Sequence, residues 1–193
     1  MEFVRTFIAV ELDELWHEEL ARLQDRLRRA LWQDRDLKWT RPEGIHLTLK
    51  FLGPVPEVDL PGVCAATDMA VRGHVPFEVE ASVLGSFPPR RPARVLWLGS
   101  QAVPAALIKL QAGLEQCLAE VGFEPEKRAY SPHFTLARVH GARAGEAVSR
   151  YLAKAGPVEG FPPLLVAALT VFRSDLTRLG AEYTVLHRVR LEG

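Results

Sequence analysis

The chain writes one short phrase twice, His46-Leu47-Thr48-Leu49 and His133-Phe134-Thr135-Leu136, with the two histidines 87 positions apart. An imidazole titrates near pH 6.5, so one ring can accept a proton while a second donates one. Two rings on opposite sides of a phosphorus atom make a general base and a general acid for in-line displacement. In an extended strand, alternate side chains share a face, so each threonine stands beside its histidine while Leu47, Leu49, Phe134 and Leu136 turn to the core. The Thr48 and Thr135 hydroxyls can then hydrogen-bond the non-bridging oxygens whose charge must be held in the transition state. Simple alternation also places Lys50 on that face, as a cation for phosphate. It places Arg138 on the opposite, core-facing side, so Arg138 reaches the site only if its strand bends, bulges or ends near Ala137.

Other chemistries lack their residues. There is no Cys/His cluster or His-Glu-x-x-His spacing for zinc, no phosphate-cradling glycine loop ending in Lys-Ser/Thr, and no Gly-x-Ser-x-Gly elbow. No metal and no cofactor is expected. The remaining histidines, His17, His74, His140 and His187, have no repeated counterpart and read as surface or satisfied polar residues. Trp39, Trp97, Phe51 and Phe87 read mainly as core.

Larger elements repeat around the two motifs. An apolar strand from Phe7 to Val10 precedes a helix from about Glu14 to Leu31, with Leu15, Leu20, Leu23 and Leu27 at helical spacing. Lys38-Trp39-Thr40 then leads to the first motif. A strand from Val95 to Leu98, a helix from about Pro104 to Val121 with Leu107, Leu110, Leu114 and Leu118, and a short strand at Lys127 to Tyr130, the counterpart of Lys38-Trp39-Thr40, lead to the second. After each motif come a helical segment, Leu60 to Arg72 or Gly145 to Ala155, and a strand, Phe77 to Leu84 or Leu164 to Phe172. A run from Tyr183 to Val189 supplies a final strand. The expected fold is α+β, a single bilobal domain over 1–193 with approximate repeats 1–87 and 94–193. Two similar lobes are related by a pseudo-twofold axis, each a mainly antiparallel sheet with helices on its outer face, and the His-x-Thr strands line a central cleft. Ser86 to Arg94, rich in proline and arginine, reads as an exposed connection, with a basic finger for RNA phosphates as the sharper alternative.

Composition bounds the partners. The formal charge is zero, 48% of residues are hydrophobic and 25% charged, so a nucleic-acid contact must come from a local patch. Cys64 and Cys117 are too few for a disulfide framework, which fits a reduced, cytoplasmic setting. Arg5 and Glu11 interrupt the first apolar run, and no run approaches membrane-spanning length, so neither a leader nor a membrane is expected.

The segments Arg41-Pro42-Glu43-Gly44-Ile45-His46-Leu47-Thr48-Leu49-Lys50-Phe51-Leu52-Gly53 and Tyr130-Ser131-Pro132-His133-Phe134-Thr135-Leu136-Ala137-Arg138 closely resemble the paired motifs of the two-histidine phosphoesterases. The nearest branch is that of the RNA 2′,3′-cyclic phosphodiesterases, also called 2′-5′ RNA ligases, and Arg5 to Leu12 fits its opening. The resemblance implies metal-free hydrolysis of an RNA-terminal 2′,3′-cyclic phosphate to a 2′-phosphomonoester. It implies His46 as the proton donor, His133 as the proton acceptor, Thr48 and Thr135 as phosphate contacts, and Arg138 as a phosphate-binding arginine. The implied partners are RNA ends or nucleotides bearing 2′,3′-cyclic phosphate, met by a monomer. Alternatives are ATP-independent 2′-5′ ligation of tRNA halves, which is the same displacement with a 5′-hydroxyl in place of water, and a non-catalytic RNA-end binding module.

Overall fold

The computed structural model describes residues 2–31, 36–89, 92–177 and 180–192. Its first repeat runs β1 (Phe3–Val10), α1 (Glu14–Ala30), β2 (Leu37–Trp39), β3 (Leu47–Pro56), α2 (Leu60–Ala70), β4 (Phe77–Val79) and β5 (Val83–Phe87). The second runs β6 (Val95–Gly99), α3 (Ala105–Glu120), β7 (His133–Val139), α4 (Ala142–Leu152), β8 (Leu164–Val166), β9 (Ala168–Thr177) and β10 (Gly180–Arg190). The helices form where the leucine spacing places them. Asp13 caps α1 by accepting a hydrogen bond from the Trp16 amide at 2.9 Å. In α3, Leu107, Leu110, Leu114 and Leu118 are all fully buried, each contributing about 1.5–3 kcal/mol of burial free energy. Leu15 is exposed and Trp16 takes the buried position at the start of α1, one residue away from the expected stripe.

Two antiparallel four-stranded sheets result, ordered β10-β9-β1-β3 and β2-β7-β6-β5. The sequence repeats do not coincide with these sheets. β5 ends the first repeat yet pairs with β6 in a hairpin, Phe87 opposite Val95, and β9 of the second repeat pairs with β1 of the first. Each sheet thus takes strands from both repeats. The helices cross as well: Trp16 of α1 packs on Phe134 of β7 at 4.8 Å, while Glu115 of α3 reaches Lys50 of β3. One hydrophobic core unites both halves. The short strands β4 and β8 pair with each other, Phe77 with Val166, Glu78 with Leu165 and Val79 with Leu164. Glu78 and Leu165 differ by the same 87 positions as the histidines, so the pseudo-twofold axis passes between them.

The expected short strand at Lys127–Tyr130 does not form. The repeat offset brings Pro125 to the place of Lys38 in β2, and proline has no amide hydrogen for a ladder. Side chains and single carbonyls serve that edge of β3 instead: the Tyr130 hydroxyl donates to the Thr48 carbonyl at 3.0 Å, and Lys50 Nζ to the Glu124 carbonyl at 2.8 Å. In the Pro/Arg connection, Ala93 is buried and the Arg94 amide donates to the Phe87 carbonyl at 2.7 Å. Arg90 and Arg91, on which the finger idea depends, lie outside the described residues.

Candidate active site

His133 opens β7, and His46 immediately precedes β3. Each ring has a backbone carbonyl two residues before it. His133 Nδ1 lies 2.7 Å from the Ser131 carbonyl, and the Gly44 carbonyl, at the place equivalent to Ser131, favours the charged form of the His46 ring. A carbonyl only accepts, so in His133 Nδ1 carries hydrogen, and in the neutral ring Nε2 is the nitrogen able to accept a proton. Charge on His133 disfavours charge on His46, which places the rings within electrostatic reach of each other. Thr48 and Thr135 follow on the same faces, half-buried.

Aromatic rings surround both imidazoles. His46 stacks on Phe7 at 4.5 Å and meets the edge of Tyr183 at 5.2 Å. His133 meets Phe87 edge-on at 4.8 Å, with Trp97 at 6.4 Å. Phe87 and Trp97 therefore flank the site as well as packing in the fold. Gly85 makes this possible, since a Cβ there would fall 2.1 Å from the Trp97 ring. Withdrawal from water disfavours the charged imidazole. Burial, followed by the weaker effect of His133 and opposed by the Gly44 carbonyl, brings His46 down to about 4. Burial also lowers His133, against the pull of the Ser131 carbonyl.

The sign of these shifts sets how stability depends on pH. Between pH 6.5 and 4 the unfolded chain protonates His46 and the folded chain does not, so stability falls as pH falls through that window. The loss attributable to His46 is about 3 kcal/mol, and His133 adds to it in the same direction. Urea midpoints at about pH 7.5 and 4.5 should diverge more in the native protein than in His46→Gln. Equal divergence would show that His46 titrates normally.

The two motif strands share a second device. Along β3, Ala9 faces Thr48 and Ile8 faces Lys50, leaving Leu49 unmatched; along β7, Trp97 faces Thr135 and Leu96 faces Ala137, leaving Leu136 unmatched. These are bulges at equivalent residues, and a bulge reverses which side chains face which way. In β7 it turns Ala137 inward, fully buried, and Arg138 outward onto the face of His133 and Thr135. Burial raises the Tyr183 hydroxyl and the charges of Arg138 and Arg5 oppose it, so Arg138 of one sheet lies within electrostatic reach of a ring that meets His46 in the other. In β3 the same reversal corrects the expectation for Lys50. Its side chain is buried, 2.6 Å from Glu115 Oε2, and does not continue the face of His46 and Thr48. Phe51 takes that place, 66% exposed and 5.9 Å from Phe7, so it is not core.

Among the described residues no group of three or more His, Cys, Asp or Glu could hold a metal ion. The model of the LigT-like phosphoesterases matches the chain twice, over residues 10–97 and 98–183. The chain belongs to this family. An RNA 2′,3′-cyclic phosphodiesterase of Methanothermobacter thermautotrophicus is 37% identical over 97% of this chain and 99% of its own length. A crystal structure of a Thermus thermophilus protein superposes with a TM-score of 0.79 at 30% identity, covering 98% of both chains. LigT of Escherichia coli complexed with 3′-AMP gives a TM-score of 0.75 at 25% identity, with full coverage of both chains.

Beyond the motif, this LigT-like site contains residues that sequence spacing did not bring forward. Phe7 and Arg5 alternate along β1, and Tyr183 on β10 is subject to Arg5 as well as Arg138. The sequence marked a strand only from Phe7 to Val10, whereas β1 begins at Phe3, and extending the period of two back from Phe7 could have placed Arg5 beside it. Tyr183 lies 137 positions from His46, and only the pairing of β9 with both β1 and β10 brings it there.

Proposed function

We propose that the protein hydrolyses RNA-terminal 2′,3′-cyclic phosphates to 2′-phosphomonoesters without a metal ion. The observation that carries this reading is the pair of imidazoles within electrostatic reach of each other, each followed by a threonine on its own face, with Arg138 turned onto the same side by a bulge. His133 takes a proton from water as the water oxygen bonds to phosphorus. The phosphorus to O3′ bond breaks, O2′ stays attached, and His46 gives its proton to O3′. Thr48, Thr135 and Arg138 hold the non-bridging oxygens, where negative charge must be balanced. In its buried surroundings His46 stays unprotonated down to about pH 4. It therefore gains its proton together with the phosphodiester anion, whose charge favours the imidazolium. Both halves of the site belong to one chain, which supports action as a monomer. Among the described residues no helix is long and apolar enough to cross a membrane, and a cytoplasmic setting fits an RNA substrate.

The test is an RNA oligonucleotide ending in 2′,3′-cyclic phosphate, incubated in excess EDTA. Expected is a 2′-phosphate end, formed with a bell-shaped pH dependence because one ring must be neutral and one charged. A 3′-phosphate product would mean that the other oxygen leaves, and dependence on added divalent metal would remove the two-histidine mechanism.

A further inference from the structure

Both bulges are gripped from below by a buried glutamine. Gln24 of α1 is fully buried, and its Nε2 donates to the Leu136 carbonyl at 3.0 Å and to the Thr40 carbonyl at 2.7 Å. Gln111 of α3 is also buried, and its Nε2 donates to the Leu49 carbonyl at 3.5 Å and to Glu115 Oε1 at 2.9 Å. Gln24 and Gln111 are offset by the same 87 positions as the histidines, and so are Leu49 and Leu136. An amide in an otherwise leucine-lined helix face is costly unless it is bonded. Gln24 Oε1 has no partner among the described residues, so what the position retains is the donor, aimed at the bulge.

We infer that Gln24 is a positioning residue for catalysis: by holding the Leu136 carbonyl it fixes the β7 bulge that turns Arg138 onto the site. Backbone geometry makes the link. Without the bulge, strict alternation would send Arg138 to the core side, where Ala137 now packs. The bulged carbonyl is the point at which the strand leaves its regular ladder with β6. There it receives two donors, the Thr40 amide of the chain following β2 at 2.9 Å and the Gln24 amide. Gln24 also bonds Thr40, so a single side chain ties the bulge to the strand edge beside it. Gln111 does the corresponding task for β3, but the bulge it holds presents Phe51, with no charge to deliver. The two glutamines are therefore alike in build and different in what they position.

The inference rests on the cyclic phosphodiesterase reading, and turnover by the native protein tests that reading separately. Given turnover, kcat/KM is measured for Gln24→Met with and without Arg138→Ala. Methionine keeps the volume and removes the donor. A small displacement of a positioned group can cost up to about 10²-fold, and Gln24→Met should lower kcat/KM by about ten-fold in the native background. In the Arg138→Ala background it should change kcat/KM by less than about two-fold, because the group being positioned is gone. Gln111→Met supplies the comparison, since its effect should be the same with or without Arg138. Gln24→Asn, which keeps the amide on a shorter stem, serves if the methionine variant folds poorly. Equal losses from Gln24→Met in both backgrounds would make Gln24 a support of the fold alone and overturn the inference, as would no loss in the native background.

Discussion

Replacing His46 or His133 with alanine will lower kcat/KM for a 2′,3′-cyclic phosphate by at least about 10²-fold, and by up to about 10⁴-fold for general acid–base groups of this kind. The double replacement will cost little more than either one alone. Both follow from the proposed chemistry, in which one proton leaves the nucleophile and another reaches the leaving oxygen in a single displacement, so either missing ring would stall the whole step. On the same proposal the threonines and Arg138, still present in the variants, should continue to bind phosphate, so KM should move less than kcat. His46→Ala opens space between Phe7 and Tyr183, and urea midpoints at neutral pH separate lost chemistry from lost structure. Steady-state kinetics on a folded His46→Ala protein would decide the matter: a loss below about ten-fold would mean that this ring is a neighbour of the reaction and takes no part in it.

The motif itself was open to view in the chain. Alternating Leu47, Leu49, Phe134 and Leu136 marked which side of each strand is dry, and the leucines of α3 marked its buried face. What alternation could not supply was the bulge after each threonine. The bulged carbonyls accept from donors that arrive from elsewhere, here Gln24 and Gln111 on helices distant in sequence, and the alternating pattern of β3 or β7 does not announce them. Arg138 was consequently reached through family resemblance and a conditional bend, while Lys50 was carried onto the site by an alternation that had already broken at Leu49. The exchange of β5 and β9 between repeats was hidden for a related reason. Local patterning specifies a strand and leaves its neighbour open, and only the short hairpin between Phe87 and Val95 forces β5 to pair forward. Tyr183 and Phe172 come to His46 through that exchange.

Lys50 and Arg138 should then fail in opposite ways when removed. Arg138→Ala should lower kcat/KM by about 10²-fold, the scale of a charge-assisted hydrogen bond lost from the transition state, while leaving the unfolding midpoint nearly unchanged because the side chain is exposed. Lys50→Met should do the reverse. It leaves the Glu115 carboxylate buried, still accepting from Gln111 and from the Glu126 amide at 3.1 Å, but without its counter-charge. Removing one member of a buried ion pair costs about 3–5 kcal/mol, which for a chain of this length lowers the melting temperature by roughly 10 °C. At temperatures well below that transition, turnover should persist within about two-fold of the native rate. Adding Glu115→Gln to Lys50→Met should restore much of the stability, since the stranded charge is then removed. The decisive pattern is the crossing of the two readouts. If Lys50→Met instead lowered kcat/KM as far as Arg138→Ala with no loss of melting temperature, Lys50 would be serving the phosphate after all, and the β3 bulge would not divert it from the site.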